Sequence, residues 1–264
     1  MWGVFFFILG FFAGFPLFSF AYAWARKESE VQCCGGVFGL NDLNPLPLFR
    51  EAASASSRAC PACGARVNPL FPILAALGSG ALFFLVYQEA QGSGEILKLL
   101  VLVSLLILVT LIDFYSHIIP NPLVLALLAW GVLWQVIQPS ISWPDAFFGL
   151  LFGGGFLLLA AIISRGGMGG GDIKLMLAAG FFLGFAPTVM ALFIAVFSGA
   201  VVGILLLLFR IKKRKDPIPF GPFLCLGIVA ALLNNPQLLT LYLGQGDRFL
   251  VPLSGIMAAA RFLW

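Results

Sequence analysis

An all-α, polytopic transmembrane bundle is the fold class this sequence predicts, on three observations: its composition, the length of its apolar runs and the placement of its charges. Of 264 residues, 61% are hydrophobic and only 10% charged, and the mean hydropathy is +1.05. A soluble domain carries about 25% charged and about 45–50% apolar residues. The deficit excludes an ordinary soluble enzyme, a disordered chain and a nucleic-acid binder, and it makes the lipid bilayer the expected solvent. At roughly 20 residues per crossing, the length allows about eight spans and one modest loop.

Apolar runs fall at about 3–25, 69–88, 96–114, 121–138, 145–164, 173–187, 188–209 and 219–234. Gly and Pro inside them are compatible with membrane helices, because neighbouring helices re-satisfy the backbone. A last run, 249–264, is short and holds Arg261, so whether it spans is left open. The first run ends in small residues, Ala21-Tyr22-Ala23-Trp24-Ala25, but Arg26 and Lys27 follow it and no basic segment precedes it. It is therefore expected to stay as a span and not to be cleaved as a signal peptide.

The basic residues orient the chain. Arg26, Lys27, Arg50, Arg58 and Arg66 share the first loop, Arg165 and Lys174 flank a Gly-rich loop, and Arg210, Lys212, Lys213, Arg214 and Lys215 follow the seventh run. With the amino terminus outside, all of these lie on the cytoplasmic side, and only Lys98, Arg248 and Arg261 remain for the other. Several crossings of one membrane are therefore expected, with the first loop inside. The formal net charge of +4 follows from this bias and requires no nucleic-acid partner. The one sizeable polar segment, about 26–68, is too short to bury a core of its own, so a metal staple or docking on the bundle is expected.

Nine of the 11 acidic residues are explained by solvation or helix ends; Asp145, after Ser142-Trp143-Pro144, reads as a helix-terminal residue. Asp113, in Leu-Ile-Asp-Phe-Tyr, and Asp172, in Gly-Gly-Gly-Asp-Ile-Lys, need another account. Asp113 closes the third run, directed inward, and Asp172 opens the sixth, which leaves from the same face, so both carboxyls are expected at one depth on different helices. An ionisable group in such a segment is by default a functional candidate. Two carboxyls in a low-dielectric site share a proton, so one can deprotonate water while the other protonates a scissile carbonyl. The plainer alternative is that Asp172 caps its helix and Asp113 reaches the interface. Gly169, Gly170 and Gly171 would permit close backbone approach and unusual dihedrals. His117, four residues past Asp113, would share its face in a continued helix, and Cys225 reads as a small core residue.

These residues resemble the prepilin peptidase family, Gly-x-Gly-Asp membrane aspartic peptidases that process type IV prepilins and type II secretion pseudopilins. Gly169-Gly170-Gly171-Asp172-Ile173-Lys174-Leu175 is similar to its Gly-x-Gly-Asp-[Val/Ile]-Lys-Leu block, and Asp113 followed by Ile119-Pro120-Asn121 to its other Asp block. Ile218-Pro219-Phe220-Gly221-Pro222-Phe223-Leu224 resembles a late Pro-Phe-Gly-Pro-Phe-Leu segment. The resemblance implies that Asp113 and Asp172 are the catalytic dyad, with Gly169, Gly171 and Lys174 supporting substrate and loop. It also implies a prepilin or pseudopilin substrate cleaved at the cytoplasmic face after the Gly that ends a short basic leader. On the same resemblance the setting is the bacterial inner membrane, and proteolysis is expected to need no cofactor and no His.

Many family members also methylate the new amino terminus with S-adenosylmethionine, through a loop with two Cys-x-x-Cys pairs that resembles a zinc module. Here Cys60-Pro61-Ala62-Cys63 keeps the spacing, but the first pair is replaced by adjacent Cys33-Cys34. Zinc on Cys33, Cys34, Cys60 and Cys63 is the expectation, since a cytoplasmic loop disfavours disulfides. After the second pair, Val67-Asn68-Pro69-Leu70-Phe71-Pro72 lacks the acid that usually follows the family's segment. The expected division is 1–95, a degenerate methyltransferase-like region, and 96–264, the peptidase. An ion-coupled transporter using the two Asp residues, a non-proteolytic pilus or secretion assembly factor, and an aspartic peptidase for other substrates are the rival readings. The particular pilin and the oligomeric state are left open.

Overall fold

A computed structural model describes residues 2–28, 70–90, 93–164, 168–211 and 218–233. Every element among them is helical: α1 (Trp2–Glu28), α2 (Leu70–Glu89), α3 (Ser93–Ser116), α4 (Asn121–Ile137), α5 (Trp143–Ile163), α6 (Gly170–Leu183), α7 (Phe185–Leu208) and α8 (Gly221–Leu233). Each apolar run read from the sequence is thus one helix. Five of them, α1, α2, α3, α5 and α7, are long and apolar enough to cross a membrane. The others have 17, 14 and 13 residues, which at about 1.5 Å per residue is less than the roughly 30 Å of hydrocarbon. Outward-facing Phe193, Phe197, Leu158 and Ile162 are largely exposed, as lipid contact requires. The chain is a multi-pass membrane protein.

The helix ends follow from local chemistry. Ser142 caps α5 by accepting the Asp145 N–H at 3.3 Å, with Pro144 in the first turn where a missing donor costs nothing. Pro120 and Pro122 start α4 in the same way, the Pro120 carbonyl accepting from Leu123 and Val124. The break between α6 and α7 is at Gly184, not between 187 and 188 as the apolar runs suggest. Gly184 has φ of 82°, a left-handed conformation that favours glycine. The Asp145 carboxyl fills the place a side chain would take there, and its Oδ1 accepts the Phe185 N–H at 3.2 Å, capping α7. Asp145 is therefore helix-terminal for two helices.

Close helix approach depends on small residues. Gly10 and Gly14 of α1 lie on α2, where the Ser79 hydroxyl bonds the Gly10 carbonyl at 2.7 Å. Gly149 and Gly153 of α5 lie against Gly180 and the Met176 carbonyl of α6, and Gly227 of α8 lies against Ala191 of α7. This spacing of four is how membrane helices gain packing without a hydrophobic drive between them. The main core draws one large side chain or more from each of six helices, among them Leu106, Leu127, Leu157, Met176, Leu192 and Ile228. α6 lies at its centre, packed by α4, α5, α7 and α8 and buried at most of its positions. α4 and α8 each touch both α3 and α6, so they set how those two helices stand relative to one another. α1 and α2 pack as a pair on the other side of α3, through Phe83, Val86, Val103 and Ile107.

Candidate active site

Among the described residues, Asp113 and Asp172 are the buried charged side chains, 4% and 9% exposed. Asp113 stands in the last turn of α3 and Asp172 in the first turn of α6. Their carboxyls are near enough to interact electrostatically, and the Cys225 thiol of α8 senses both. Two buried carboxyls 59 positions apart in the chain thus lie within electrostatic reach of one another.

Each carboxyl has a backbone donor. Asp113 Oδ2 accepts the Gly221 N–H, from the first turn of α8, at 2.9 Å. Asp172 reaches back to the N–H of Gly169, the N-cap of α6. That is one half of a capping box. The capping alternative for Asp172 is therefore real, and it coexists with the pairing to Asp113. Beneath the pair, Thr110 of α3 and Cys225 share a hydrogen bond, and Cys225 belongs to the main core as expected.

The glycine run is used for proximity. Gly171 faces Ile119 of the α3–α4 connection, and a Cβ there would be 2.9 Å from the Ile119 Cβ. A Cβ at Gly169 would be 3.1 Å from Asp172 Oδ2, whereas Gly170 faces open space. The unusual dihedrals expected of this run are absent: Gly169 has φ of −69°, and Gly184 is the positive-φ glycine among the described residues. Close approach, not backbone freedom, explains Gly169 and Gly171.

Lys174 is exposed and its Nζ donates to Asn121 Oδ1 at 3.0 Å, tying α6 to the first residue of α4. His117 does not share a helical face with Asp113. The helix ends at Ser116, His117 turns to φ of 54°, and its N–H bonds the Asp113 carbonyl at 2.9 Å, with ring Nδ1 3.1 Å from the same oxygen. It closes α3 and leaves the Asp113 side chain free to face α8. Sequence reading missed the Gly221 donor, the Thr110–Cys225 bond and the Lys174–Asn121 bond. Only Gly221 carried a signal, its place between Phe220 and Pro222 at a helix start. Cys33, Cys34, Cys60 and Cys63 lie outside the described residues, and no metal-sized cluster of His, Cys, Asp or Glu occurs among those described.

Such a pair can hold one proton between two carboxyls, so that a water molecule and a carbonyl oxygen can be handled at once. Fold and site together define a multi-pass helical membrane protein with a paired-carboxyl centre at the ends of two helices. Residues 100–204, which contain both Asp residues, match the type IV leader peptidase family. The chain is 33% identical over 184 residues to a prepilin leader peptidase/N-methyltransferase of Bacillus subtilis, covering 70% of this chain and 74% of that one. Proteins of the same name from Aeromonas hydrophila and Pseudomonas aeruginosa are 31% and 30% identical, over 70% of this chain and 65% of their own length. No solved structure matches. This chain belongs to the type IV leader peptidase family.

Proposed function

We propose that the protein is an aspartic endopeptidase that removes the leader of a prepilin or pseudopilin at the cytoplasmic face of the bacterial inner membrane. The observation that carries this reading is that Asp113 and Asp172, both buried and within the residues that match the family, lie within electrostatic reach of one another. The relatives' names supply the substrate class. In the reaction, the ionised carboxyl of the pair takes a proton from water as the water oxygen attacks the scissile carbonyl carbon. The protonated carboxyl gives its proton to the carbonyl oxygen. Collapse of the tetrahedral intermediate expels the amine, which receives the proton the first carboxyl took. The test is incubation of the protein in vesicles with a prepilin and measurement of product mass. A cut after the leader's terminal Gly is expected; an intact prepilin would overturn the reading. A product heavier by one methyl group with S-adenosylmethionine present would extend it to N-methylation, the second activity in the relatives' names.

The finer topology belongs to the same proposal: about eight crossings, amino terminus outside, 26–68 and 212–217 inside, with 1–95 as the methyltransferase-like part and 96–264 as the peptidase. The distribution of Lys and Arg supports it. A Lys213→Cys variant should react with an impermeant maleimide in inside-out vesicles and not in intact cells; the reverse would put the carboxyl pair on the outer side.

Cys33, Cys34, Cys60 and Cys63 are proposed to hold one zinc. The intact Cys60-x-x-Cys63 pair is the support, because its spacing lets two thiolates grip a tetrahedral ion. Purified protein should contain about one zinc per chain by elemental analysis, and Cys60→Ser should lose it while prepilin cleavage persists. Zinc-free wild type would remove the metal from the account. The transporter and assembly-factor readings have no observation in their favour.

A further inference from the structure

We propose that Gly221 is a positioning residue for catalysis: its backbone N–H fixes the rotamer of the Asp113 carboxyl, and its missing side chain is what lets that carboxyl stand against the start of α8. The inference rests on reading Asp113 and Asp172 as the reacting pair.

The first turn of a helix has N–H groups without intrahelical acceptors. In α8 their fates are distinct. Pro222 has no N–H, and Phe223 and Leu224 bond back to the Phe220 carbonyl at 3.0 and 3.1 Å. Gly221 N–H is directed to Asp113 Oδ2 at 2.9 Å, joining residues 108 positions apart. A donor at a helix N-terminus also carries part of the helix dipole, which favours a charged acceptor.

Space argues the same way. A Cβ on Gly221 would lie 2.7 Å from Asp113 Oδ2, 2.9 Å from its Cγ and 3.1 Å from its Cβ. The group that would have to yield is the carboxyl itself, because α8 is not free to retreat: Leu224, Cys225 and Ile228 are built into the main core. One turn beyond Gly221, Cys225 is bonded to Thr110, which stands one turn before Asp113. α8 and α3 are therefore joined at two successive turns, with the carboxyl held at the first. Asp113 is the last-turn residue of α3 and has no helix N-terminus of its own, unlike Asp172 with Gly169.

Two replacements separate the parts of this device. An amide-to-ester exchange, glycolate in place of Gly221 introduced during cell-free translation into vesicles, removes the N–H and adds no atom at the Cβ position. Gly221→Ala keeps the N–H and displaces the carboxyl. Both should lower kcat for prepilin cleavage by about 10- to 100-fold, the scale of one buried hydrogen bond to a charged group. KM should stay within about threefold and thermal unfolding should be little changed, since Gly221 binds no substrate. The ester chain decides if the alanine chain fails to fold. An ester chain with wild-type kcat overturns the proposal, as does a kcat loss that comes with loss of the compact fold or with an equal rise in KM. Asp113→Asn, run alongside, separates the two readings. If it cleaves like wild type, the pair itself is wrong. If it is inert while the ester chain is fully active, only the role of Gly221 fails.

Discussion

Asp113→Asn and Asp172→Asn should each reduce prepilin cleavage by about a thousandfold or more, with the proteins still inserted and helical. The size follows from the arrangement. Each carboxyl is buried and accepts a backbone N–H, Gly221 for one and Gly169 for the other. An amide keeps the shape and one acceptor, so the bundle is preserved, but it can neither take a proton from water nor give one to a carbonyl oxygen. General acid–base steps contribute about 10²- to 10⁴-fold each, and groups acting as a unit are lost together. The double variant should therefore be little worse than either single one. Normal cleavage by either variant would return that Asp to a structural role, which for Asp172 means helix capping.

Gly180→Leu should have the largest effect on the fold. α5 and α6 cross where Gly149 and Gly180 bring backbone to backbone, and a Cβ at either position runs into the other helix's carbonyl. Overpacking inside a core costs about 1–3 kcal/mol, and more where backbone must move. Here nothing but backbone is available to move. α6 is buried among four helices and carries Asp172 at its start, so displacing it also separates the carboxyls. Solubilised Gly180→Leu should unfold at a clearly lower temperature than wild type and lose cleavage, with Gly180→Ala between the two. Gly155→Ala, where the new methyl meets open space, is the control and should melt like wild type. Wild-type melting of Gly180→Leu would contradict the crossing described.

Both expectations depend on different kinds of information. Asp113 and Asp172 were legible because a charge inside an apolar run is anomalous wherever the run folds, and their shared end of the bundle followed from alternating the runs. The helices were legible because hydrophobic length is a local property of the chain. Gly184 was not: the apolar stretch runs through it without interruption, and a left-handed residue leaves no trace in hydropathy. For His117 a shared face with Asp113 was conditional on α3 continuing, and the left-handed turn at φ of 54° that ends the helix there leaves no mark in the pattern of apolar residues. The cysteine loop lies outside the described residues, and its reading stands on spacing alone.

A helical membrane protein, the location of its helices and the two carboxyls out of place in them can all be read along the chain. That those carboxyls come within electrostatic reach, that α4 and α8 set the separation of the helices bearing them, and that Gly221 supplies a donor to one emerge only in three dimensions. The difference is one of range. Burial of an apolar run is decided within about twenty residues, whereas a hydrogen bond between Asp113 and Gly221 exists only once every intervening helix has found its place.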